Sequence, residues 1–420
     1  MILARGALAL ALALASTACA GPSDPAGAPN PRIATDWIRE VARLVRDEST
    51  LPPQASRVFA YTSMAIDQAV RAANAMGLEP DHVESVVSAA VGDVLIELLP
   101  GATTRVEAYR HPQLTDASPY AQELGHGVAA RIVDATRSDG FARTRGLGVE
   151  MPVGDPYWVP TGILRAPTEP HWGSLRPFMD AAALAACADQ IAPPVPYSTE
   201  DDSAMAQEAR AVVNGRGGDH EDFIAYYWSD APARTSTPAG HWMEIAAQVI
   251  DERELPLSDA SALLARAGMA AADAFIIAWR LKYQYNLLRP VTYIRRVIDP
   301  AWTPRLITPG FPEYVSGHAA VSGAVSAVLD DAFAAAPAFV DRTRAETIAY
   351  DSGEDPHPLS PRAFPSFAHA AEEAADSRLF GGIHFPMGNA AGLAAGRCVA
   401  MFHLADQSAR SSTSSAGSRE

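Results

Sequence analysis

Apolar residues recur at spacings of three and four along almost the whole chain, and runs of alternating β-branched residues are scarce. Ile38, Val41 and Leu44 are one example, because these spacings place all three on one face of a helix. Connections rich in proline and glycine separate the helical segments, at 152–177, 193–196, 300–312 and 355–365. The sequence therefore predicts an all-α fold of helical bundles with long ordered loops. Loops of this length in a compact protein usually carry function or cover a site.

The chain divides into five predicted segments, and its 420 residues, 48% of them hydrophobic, suffice for one large domain or two ordinary ones. The segments are a signal peptide (1–20), a flexible linker (21–32), an N-terminal helical half (33–240), a C-terminal helical half that holds the candidate catalytic residues (241–407) and a disordered tail (408–420). The linker is rich in glycine and proline, and the tail is rich in serine and lacks apolar periodicity.

The first twenty residues have the order of an export signal. Arg5 supplies the positive charge, Ala7–Ala15 form an apolar core, and Ala18–Ala20 offer a cleavage site between small residues. The core is shorter than the roughly 20 residues that span a bilayer, and no later segment is expected to be long and apolar enough. The sequence thus predicts export to the periplasm or the extracellular space, without a transmembrane segment. A lipoprotein cut before Cys19 is the alternative, but Ser16 stands where a leucine is usual.

Cys187 and Cys398 are the two cysteines that follow the signal segment, and each lies in an Ala-rich helical run. They could pair in an oxidising compartment, but two cysteines do not make a disulfide framework. We interpret them as small buried apolar residues.

Charge and basic composition constrain the partners of the chain. Acidic residues outnumber basic ones by 49 to 33, and the formal net charge of −16 argues against a broad surface for nucleic acid or anionic membrane. Lys282 is the single lysine, so the other 32 of the 33 basic residues are arginines. Ammonium and guanidinium groups are not interchangeable where a compact point charge is needed, which makes Lys282 a candidate functional residue.

Lys282 is followed seven residues later by Arg289 and then by Pro290. Seven residues are close to two helical turns, so the sequence predicts both cations on one helix face, with Pro290 ending the helix. Two stacked cations repel each other unless an anion lies between them. The alternative interpretation is a pair of solvated surface cations.

Two further motifs supply polar groups that suit an anion. Ser316-Gly317-His318 follows a Pro-rich loop and opens a helix of small residues, where a serine and exposed backbone N–H groups favour negative charge. Arg378 ends another helix, and His384 follows it after two glycines. For the first motif alone, a plain helix cap is the alternative. Together the motifs offer three cations, a hydroxyl, a glycine amide and two histidines, which suits one tetrahedral or trigonal-bipyramidal oxyanion.

The three motifs resemble those of a known superfamily. Lys-x6-Arg-Pro, Ser-Gly-His and Ser-Arg-x3-Gly-x-His, in this order, are shared by the type-2 phosphatidic acid phosphatases and the vanadium-dependent haloperoxidases. The stretches FPEYVSGHAAVSGA and SRLFGGIHFPMGNAAG resemble the soluble, exported bacterial haloperoxidase-like members more than the membrane lipid phosphatases. The resemblance extends over about Ile33–Leu404, is weaker before residue 240, and implies a fold like that of the haloperoxidases and acid phosphatases.

The resemblance also implies a role for each motif residue. The equatorial oxygens of the oxyanion would be bound by Lys282, Arg289, Ser316, the Gly317 amide and Arg378. His384 would be the vanadate ligand, or the phosphohistidine nucleophile in a phosphatase, and His318 would be the acid–base group at the opposite apex. Lys282 would also polarise bound peroxide. The implied cofactor is vanadate, and phosphate would fit the same site.

Two positions depart from the family pattern. Val315 stands where a proline often precedes Ser-Gly-His, and Gly388 stands where an aspartate usually lies four residues after the last histidine. If that aspartate orients the histidine, another carboxylate or carbonyl must do so here. The acidic residues nearest in sequence are Glu372, Glu373 and Asp376.

Nine of the 11 histidines lie outside these motifs and form no pair with metal-binding spacing. We interpret most of them as surface or loop residues, while His357, in the loop DPHPLSP, is a further candidate to line the site. The sequence also has no dinucleotide-binding fingerprint, phosphate-binding loop or serine-hydrolase elbow.

Three functions remain open at this point. A vanadium-dependent haloperoxidase would oxidise halide with hydrogen peroxide to a hypohalous species, which can react with an organic acceptor. A secreted acid phosphatase would hydrolyse phosphate monoesters through a phosphohistidine on the same residues, and the motifs do not separate the two, because orthovanadate and the phosphoryl transition state share charge and shape. A non-catalytic oxyanion-binding protein is the third, suggested by the glycine at 388. The halide, the organic substrate and the oligomeric state stay open.

Overall fold

The computed structural model of the chain describes residues 32–161, 165–345, 348–349 and 357–416. The predicted signal peptide and nearly all of the predicted linker lie outside these residues. The described residues form the helices α1 (Arg32–Asp47), α2 (Pro52–Ala75), α3 (Pro80–Leu98), α4 (Thr103–Leu114), α5 (Pro119–Ser138), α6 (Phe141–Thr144), α7 (Ala181–Asp189), α8 (Ala204–Asn214), α9 (Asp219–Tyr227), α10 (Thr237–Glu252), α11 (Leu257–Tyr285), α12 (Pro290–Val297), α13 (Gly317–Ala332), α14 (Phe367–Phe380) and α15 (Pro386–Ala416).

Short strands accompany the helices. They are β1 (Phe339–Asp341), β2 (Ile348–Ala349), β3 (His357–Pro358) and β4 (Arg362–Phe364). Strand β1 pairs with β4 and β2 pairs with β3, both antiparallel, so the described residues contain two small ribbons and no larger sheet. The predicted all-α fold is confirmed.

Side-chain caps and prolines mark where many of the helices begin. Serine or aspartate side chains accept a hydrogen bond from the backbone N–H three residues later, at Ser118, Asp180, Ser203, Ser316 and Ser366. Proline stands in the first turn of α2, α3, α5, α10 and α12, where its missing N–H costs no helical hydrogen bond. These local signals fix the starts of α12 and α13, which carry two of the motifs.

Helix α11 lies at the centre of the fold and packs along α2, α10, α13 and α15. By length and composition it could cross a membrane, with a most apolar window of mean hydropathy 1.5, so the expectation that no later segment is long and apolar enough is wrong for α11. However, 83% of that window is buried inside the fold, as in the core helix of a globular protein.

Helices α13 and α15 approach each other closely because glycines line their contact. A Cβ atom at Gly396 would overlap the carbonyl oxygen of Ala320, and one at Gly323 would lie 2.6 Å from the carbonyl oxygen of Leu393. Neither position has room for a side chain. This contact holds α13 in place just behind its first turn, where the Ser-Gly-His motif lies.

Two borders of the predicted segments fall inside helices. The border at residue 240 lies within α10, and the hydrophobic core is continuous across it. Helix α15 continues to Ala416, so residues 408–416 are helical where the sequence predicts a disordered tail. Residues 417–420 lie outside the described residues. The division of the chain into two halves stays a prediction.

The interpretation of the two cysteines as separate small apolar residues is wrong. Cys187 in α7 and Cys398 in α15 form a disulfide, with their Cα atoms 5.8 Å apart and a sequence separation of 211 residues. Periodicity indicates that each cysteine is buried, but only the packing of the two helices brings them face to face. A crosslink that closes so long a loop stabilises the fold by restricting the unfolded chain.

Candidate functional site

The motif residues lie at the ends of helices. Lys282 is in the last turn of α11, Arg289 is the N-cap of α12, and Ser316 is the N-cap of α13. Arg378 is in the last turn of α14, and His384 lies in the connection between α14 and α15. The site therefore depends on how these helix ends are packed together.

Lys282 and Arg289 do not share a helix, contrary to the prediction. Helix α11 stops before Asn286, which adopts a left-handed conformation with a φ of 51°, and Pro290 begins α12 instead of ending α11. The two cations nevertheless meet, because Lys282 Nζ and Arg289 Cζ lie 5.0 Å and 4.8 Å from the ring centroid of Phe311. Both side chains are fully buried, so the alternative of two solvated surface cations is wrong as well.

Lys282 is anchored on one side and retains a donor on the other. Its Nζ donates to the carbonyl oxygens of Pro312 and Glu313, at 2.9 Å each. An ammonium has three N–H donors, so one remains for a ligand. Burial and the neighbouring Arg289 lower the pKa of Lys282 well below its usual range, although Glu313 opposes the shift.

Arg289 has a guanidinium nitrogen that the protein does not satisfy. Its Nε donates to the Phe311 carbonyl and its Nη1 to the Ile383 carbonyl, both at 2.8 Å. Nη2 is buried and has no hydrogen-bond partner among the described residues. Burial lowers the pKa of Arg289 to about 10, so the group stays cationic at neutral pH. A buried cationic donor without a partner is costly, and an anion at this place would satisfy it.

Arg378 is the third buried cation. Its Nε donates to Ser377 Oγ at 3.0 Å, and Nη2 donates to the Trp228 carbonyl at the end of α9. Burial lowers the pKa of Arg378 to about 10. Its charge acts on both histidines of the motifs, because it contributes to lowering the pKa of His318 and of His384.

The start of α13 offers a hydroxyl and free backbone donors. Ser316 Oγ accepts a hydrogen bond from Ala319 N at 3.3 Å, which leaves its own hydroxyl hydrogen for a ligand. Gly317 is the first helical residue, and the N–H groups of a first turn have no partner within their helix. The fully buried Ser316 is held from behind by the Gly388 carbonyl, which accepts from Ser316 N at 2.9 Å.

His384 is held in one tautomer by its neighbours. Nδ1 lies 2.7 Å from Glu313 Oε1, and Nε2 lies 3.1 Å from Arg289 Nη1. Glu313 Oε1 also accepts from Phe385 N and so is an acceptor, and a guanidinium only donates, so Nδ1 carries the proton and Nε2 is the bare nitrogen. Burial, followed by the charges of Arg289 and Lys282, lowers the pKa of His384 well below its usual range, which keeps the ring neutral.

Glu313 is a site residue that the sequence motifs do not single out. It lies in the connection between α12 and α13 and is fully buried. Burial raises the pKa of Glu313 to about 7, against the opposing effect of Lys282 and Arg289. The signal in the sequence was a carboxylate inside the Pro-rich loop PGFPEYV, three residues before Ser316, but no pattern linked it to His384.

His318 lies in the first turn of α13 beside a carboxylate. Its Nε2 is 3.2 Å from Asp230 Oδ2, without the alignment of a directed hydrogen bond. Burial and the charge of Arg378 lower the pKa of His318 to about 4, so the imidazole is neutral at neutral pH and able to accept a proton. The nearby carboxylate would stabilise the imidazolium that results.

Asp230 belongs to a buried charged network that sequence reasoning missed. His241 Nδ1 lies 3.1 Å from Asp230 Oδ1, and His241 Nε2 lies 3.0 Å from Asp341 Oδ2. Because both ring nitrogens face carboxylates, the arrangement is that of an imidazolium between two anions. Arg344 donates to Asp230 as a further cation. His241 is an exception to the interpretation of most other histidines as surface or loop residues, since it is fully buried in α10.

Two of the acidic residues near Gly388 in sequence, Glu372 and Glu373, serve other partners. Glu373 pairs with Arg362 and accepts from Trp228 Nε1, and Glu372 lies 3.4 Å from Arg397. The carboxylate on His384 is Glu313 instead. The side chain of His357, the further candidate, lies outside the described residues.

The donor set suits an oxyanion and not a bare divalent cation. It combines three buried cations, a serine hydroxyl, the start of a helix and one histidine nitrogen. In the part of the chain that the structure describes, no group of three or more His, Cys, Asp or Glu residues is placed to hold a metal ion. The unpartnered Nη2 of Arg289 shows that a donor is still available there.

Comparisons with known proteins point to one family. The family model of the VCPO second helical-bundle domain matches residues 262–301 and 297–411, which include all the motif residues. One similar solved structure is described as the first bacterial vanadium-dependent iodoperoxidase. Its sequence is 31% identical to this chain, the match covers 89% of this chain and 95% of that chain, and the TM-score is 0.77.

Two more distant structures share the fold. The holo-type bacterial vanadium-dependent chloroperoxidase has 15% identity and a TM-score of 0.68, over 85% of this chain and 93% of that chain. The apo-type structure has 16% identity and a TM-score of 0.67, over 84% of this chain and 95% of that chain. No match was found among curated protein sequences.

Proposed function

Because this chain belongs to the vanadium haloperoxidase superfamily, we propose that it is a vanadium-dependent haloperoxidase, which oxidises halide with hydrogen peroxide. The observation that carries the proposal is the pair formed by Arg289 and His384 inside a buried cationic site. Arg289 Nη2 has no partner among the described residues, and the neighbouring His384 Nε2 is a bare nitrogen. An oxyanion of vanadium needs a hydrogen-bond donor for its oxygens and a ligand atom for the vanadium, and here the two lie side by side.

The residues present fit vanadate as the cofactor. Its oxygens would be held by Lys282, Arg289, Ser316, the Gly317 amide and Arg378, and His384 would ligate the vanadium through Nε2. When bound, vanadate supplies the Lewis acidity that activates hydrogen peroxide toward halide. Phosphate has the same shape and nearly the same charge, so it would compete for the same donors.

The remaining residues handle protons and charge. The free N–H of Lys282 donates to a peroxide oxygen and draws electron density from it, which favours attack by halide. His318, neutral because its pKa is lowered to about 4, accepts a peroxide proton, and Asp230 stabilises the imidazolium from 3.2 Å. The buried position of these groups excludes water and strengthens each electrostatic contact.

Enzyme assays on chain stripped of bound anion test the proposal. The expected result is oxidation of iodide, bromide or chloride by hydrogen peroxide, followed by halogenation of a phenol dye, only after orthovanadate is added. Added phosphate should inhibit in competition with vanadate. Hydrolysis of phosphate esters without vanadate, together with no halogenation of any dye, would overturn the proposal.

A secreted acid phosphatase is the second candidate, and the neutral His384 with a bare Nε2 favours it equally. That nitrogen could attack phosphorus, with His318 protonating the leaving alkoxide. Because burial and Arg378 lower the pKa of His318 to about 4, such a phosphatase would work only in acid. A pH profile of ester hydrolysis that falls above pH 5 is therefore expected for this alternative.

We propose that the chain is exported, to the periplasm or the outside of the cell. The Cys187–Cys398 disulfide supports this, because disulfides persist mainly in oxidising compartments. Expression of the full chain with a reporter enzyme fused after its last residue tests the proposal. Reporter activity in the cytoplasmic fraction alone would contradict it.

A further inference from the structure

The carboxylate that touches His384 comes from the loop before α13, not from the segment after the histidine. Glu313 Oε1 lies 2.7 Å from His384 Nδ1 and accepts a second hydrogen bond from Phe385 N at 3.1 Å. We propose that Glu313 is the positioning residue that fixes the tautomer and orientation of His384, and that residue 388 is a glycine to leave room for it. This inference rests on the proposed function, in which His384 is the vanadate ligand.

The space beside Gly388 is already filled by the Glu313 carboxylate. A Cβ atom added at Gly388 would overlap Glu313 Oε1 and lie 2.9 Å from both its Cδ and its Oε2. No side chain fits at position 388 while Glu313 keeps its place. A carboxylate can therefore reach His384 from position 313 or from position 388, but not from both.

Glu313 is fixed in the chain on both sides of its side chain. Its backbone N–H donates to the Leu287 carbonyl at 2.9 Å, and its own carbonyl accepts from Lys282 Nζ at 2.9 Å. One residue thus holds the ammonium of Lys282 through its backbone and the imidazole of His384 through its side chain. This double contact distinguishes it from a carboxylate that only balances charge.

Four variants and one control test whether Glu313 orients His384 or only balances the nearby positive charge. The variants are Glu313→Ala, Glu313→Gln, Gly388→Asp and the double change Glu313→Ala with Gly388→Asp. The matched control is Glu208→Gln, because Glu208 Oε2 accepts from Met387 N at 2.9 Å, close to Gly388, and within the described part of the chain it makes no hydrogen bond to His384. All variants are first checked for folding by circular dichroism.

Two measurements on the anion-free full chain need no turnover. Long-range proton–nitrogen correlation NMR on histidine-labelled protein gives the tautomer of His384, and titration calorimetry gives the affinity for orthovanadate and for orthophosphate. In the wild-type chain, His384 should carry its proton on Nδ1. Glu313→Ala should weaken this preference, which Arg289 alone then supports, and should weaken vanadate binding by about 10- to 100-fold, the usual effect of removing a group that orients a ligand.

The double variant gives the most specific prediction, because it tests whether an aspartate at position 388 can replace Glu313. Gly388→Asp alone should destabilise the chain, since two carboxylates then compete for one space. With Glu313→Ala in the same chain, the aspartate should restore both the Nδ1–H tautomer and an affinity within a few-fold of wild type. Glu313→Gln should keep the tautomer, because its amide oxygen still accepts, and Glu208→Gln should change neither quantity.

Other results would overturn the inference. A folded Glu313→Ala chain with unchanged tautomer and affinity does so, and so does a folded double variant that binds no better than Glu313→Ala. If the double variant does not fold, the tautomers of Glu313→Ala and Glu313→Gln decide, and equal tautomers in both overturn it.

The failure of this inference differs from the failure of the proposed function. A wild-type chain that oxidises no halide, but whose tautomer changes in Glu313→Ala, rejects the haloperoxidase and keeps the positioning role. A wild-type chain that is a vanadium haloperoxidase, but in which Glu313→Ala changes nothing, rejects the positioning role alone.

Discussion

At the residue scale, the site is a buried excess of positive charge. Lys282, Arg289 and Arg378 are 0%, 0% and 3% exposed, while Glu313 is the carboxylate that faces the first two. The other nearby carboxylate, Asp230, is shared with His241 and Arg344. Burying unpaired charge is expensive, which the lowered pKa values of the three cations express. This cost falls at the place where we propose that an anion binds.

Replacing the single lysine tests why an ammonium stands there. We expect Lys282→Arg to lower kcat for halide oxidation by about 100-fold or more, because a planar guanidinium does not fit between the Pro312 and Glu313 carbonyls and the ligand. The measurement is steady-state halide oxidation at saturating vanadate. Arg280→Lys, on the partly exposed side of the same helix, is the control and should stay near wild type. Unchanged kcat in Lys282→Arg would mean that a compact charge is not needed.

His241 should make stability depend on pH in the alkaline range. Burial and Arg344 lower the pKa of His241, but Asp230 and Asp341 more than compensate, and the net pKa is raised. The native chain then keeps a proton that the unfolded chain releases above about pH 6.5. This stabilisation is fully present below that pH and is lost as the pH rises through the raised pKa.

Replacing His241 with glutamine removes the imidazolium between the two aspartates. We expect His241→Gln to lower the free energy of unfolding by about 3–5 kcal/mol at pH 6, because two buried carboxylates lose their shared partner. The difference from wild type should shrink at pH 9. Urea unfolding at the two pH values gives both numbers, with His126→Gln, at a half-exposed histidine on Asp93, as the control. An equal difference at both pH values would contradict the imidazolium.

At the element scale, the position of α13 decides where the Ser-Gly-His motif lies. Its first turn faces the site, while its next turns are pressed against α15 by contacts that leave no room for side chains at Gly323, Gly392 and Gly396. Helical periodicity predicts both helices but is silent on this contact, because glycines in a helix carry no apolar signal. The position of Arg289 is likewise not predicted from periodicity, because it depends on α11 ending before Asn286, which the apolar pattern of α11 does not reveal.

A single methyl group tests the contact between the two helices. We expect Gly396→Ala to lower the free energy of unfolding by about 1–3 kcal/mol, since the added Cβ overlaps the Ala320 carbonyl. Vanadate affinity should fall as well, because α13 must shift. Gly127→Ala in α5 is the matched control, where the added Cβ meets nothing within 4 Å and stability should rise by about 0.4–1 kcal/mol. A Gly396→Ala chain as stable as wild type would contradict the proposed role of the contact.

At the scale of the whole molecule, the net charge of −16 belongs to the outer surface, while the site is locally cationic. The site joins loops and helix ends from distant parts of the chain, from Asp230 after α9 to His384 before α15. An anion that binds all of them therefore crosslinks the fold. Binding energy of this kind adds directly to stability.

Removal of vanadate should therefore destabilise the entire chain. At a vanadate concentration about 100 times its Kd, we expect the free energy of unfolding to rise by about 2.7 kcal/mol over the anion-free chain. Urea unfolding with and without orthovanadate measures the shift, which excess phosphate should reproduce at higher concentration. Arg289→Ala should abolish the shift, and Arg280→Lys should preserve it. A shift that persists in Arg289→Ala would place the anion elsewhere.

The helical class follows from the sequence, and so does the choice of the residues that we propose as oxyanion donors. Periodicity, caps and prolines are local properties, and the three motifs carry their chemistry in residues a few positions apart. The residues that contact them in the folded chain do not follow from the sequence. That Glu313 touches His384, that His241 reaches Asp341 and that Cys187 bonds Cys398 depend on contacts between residues 71 or more apart along the chain. Such contacts are decided by how glycine-lined and apolar faces pack against each other, and no single segment of the chain contains that information.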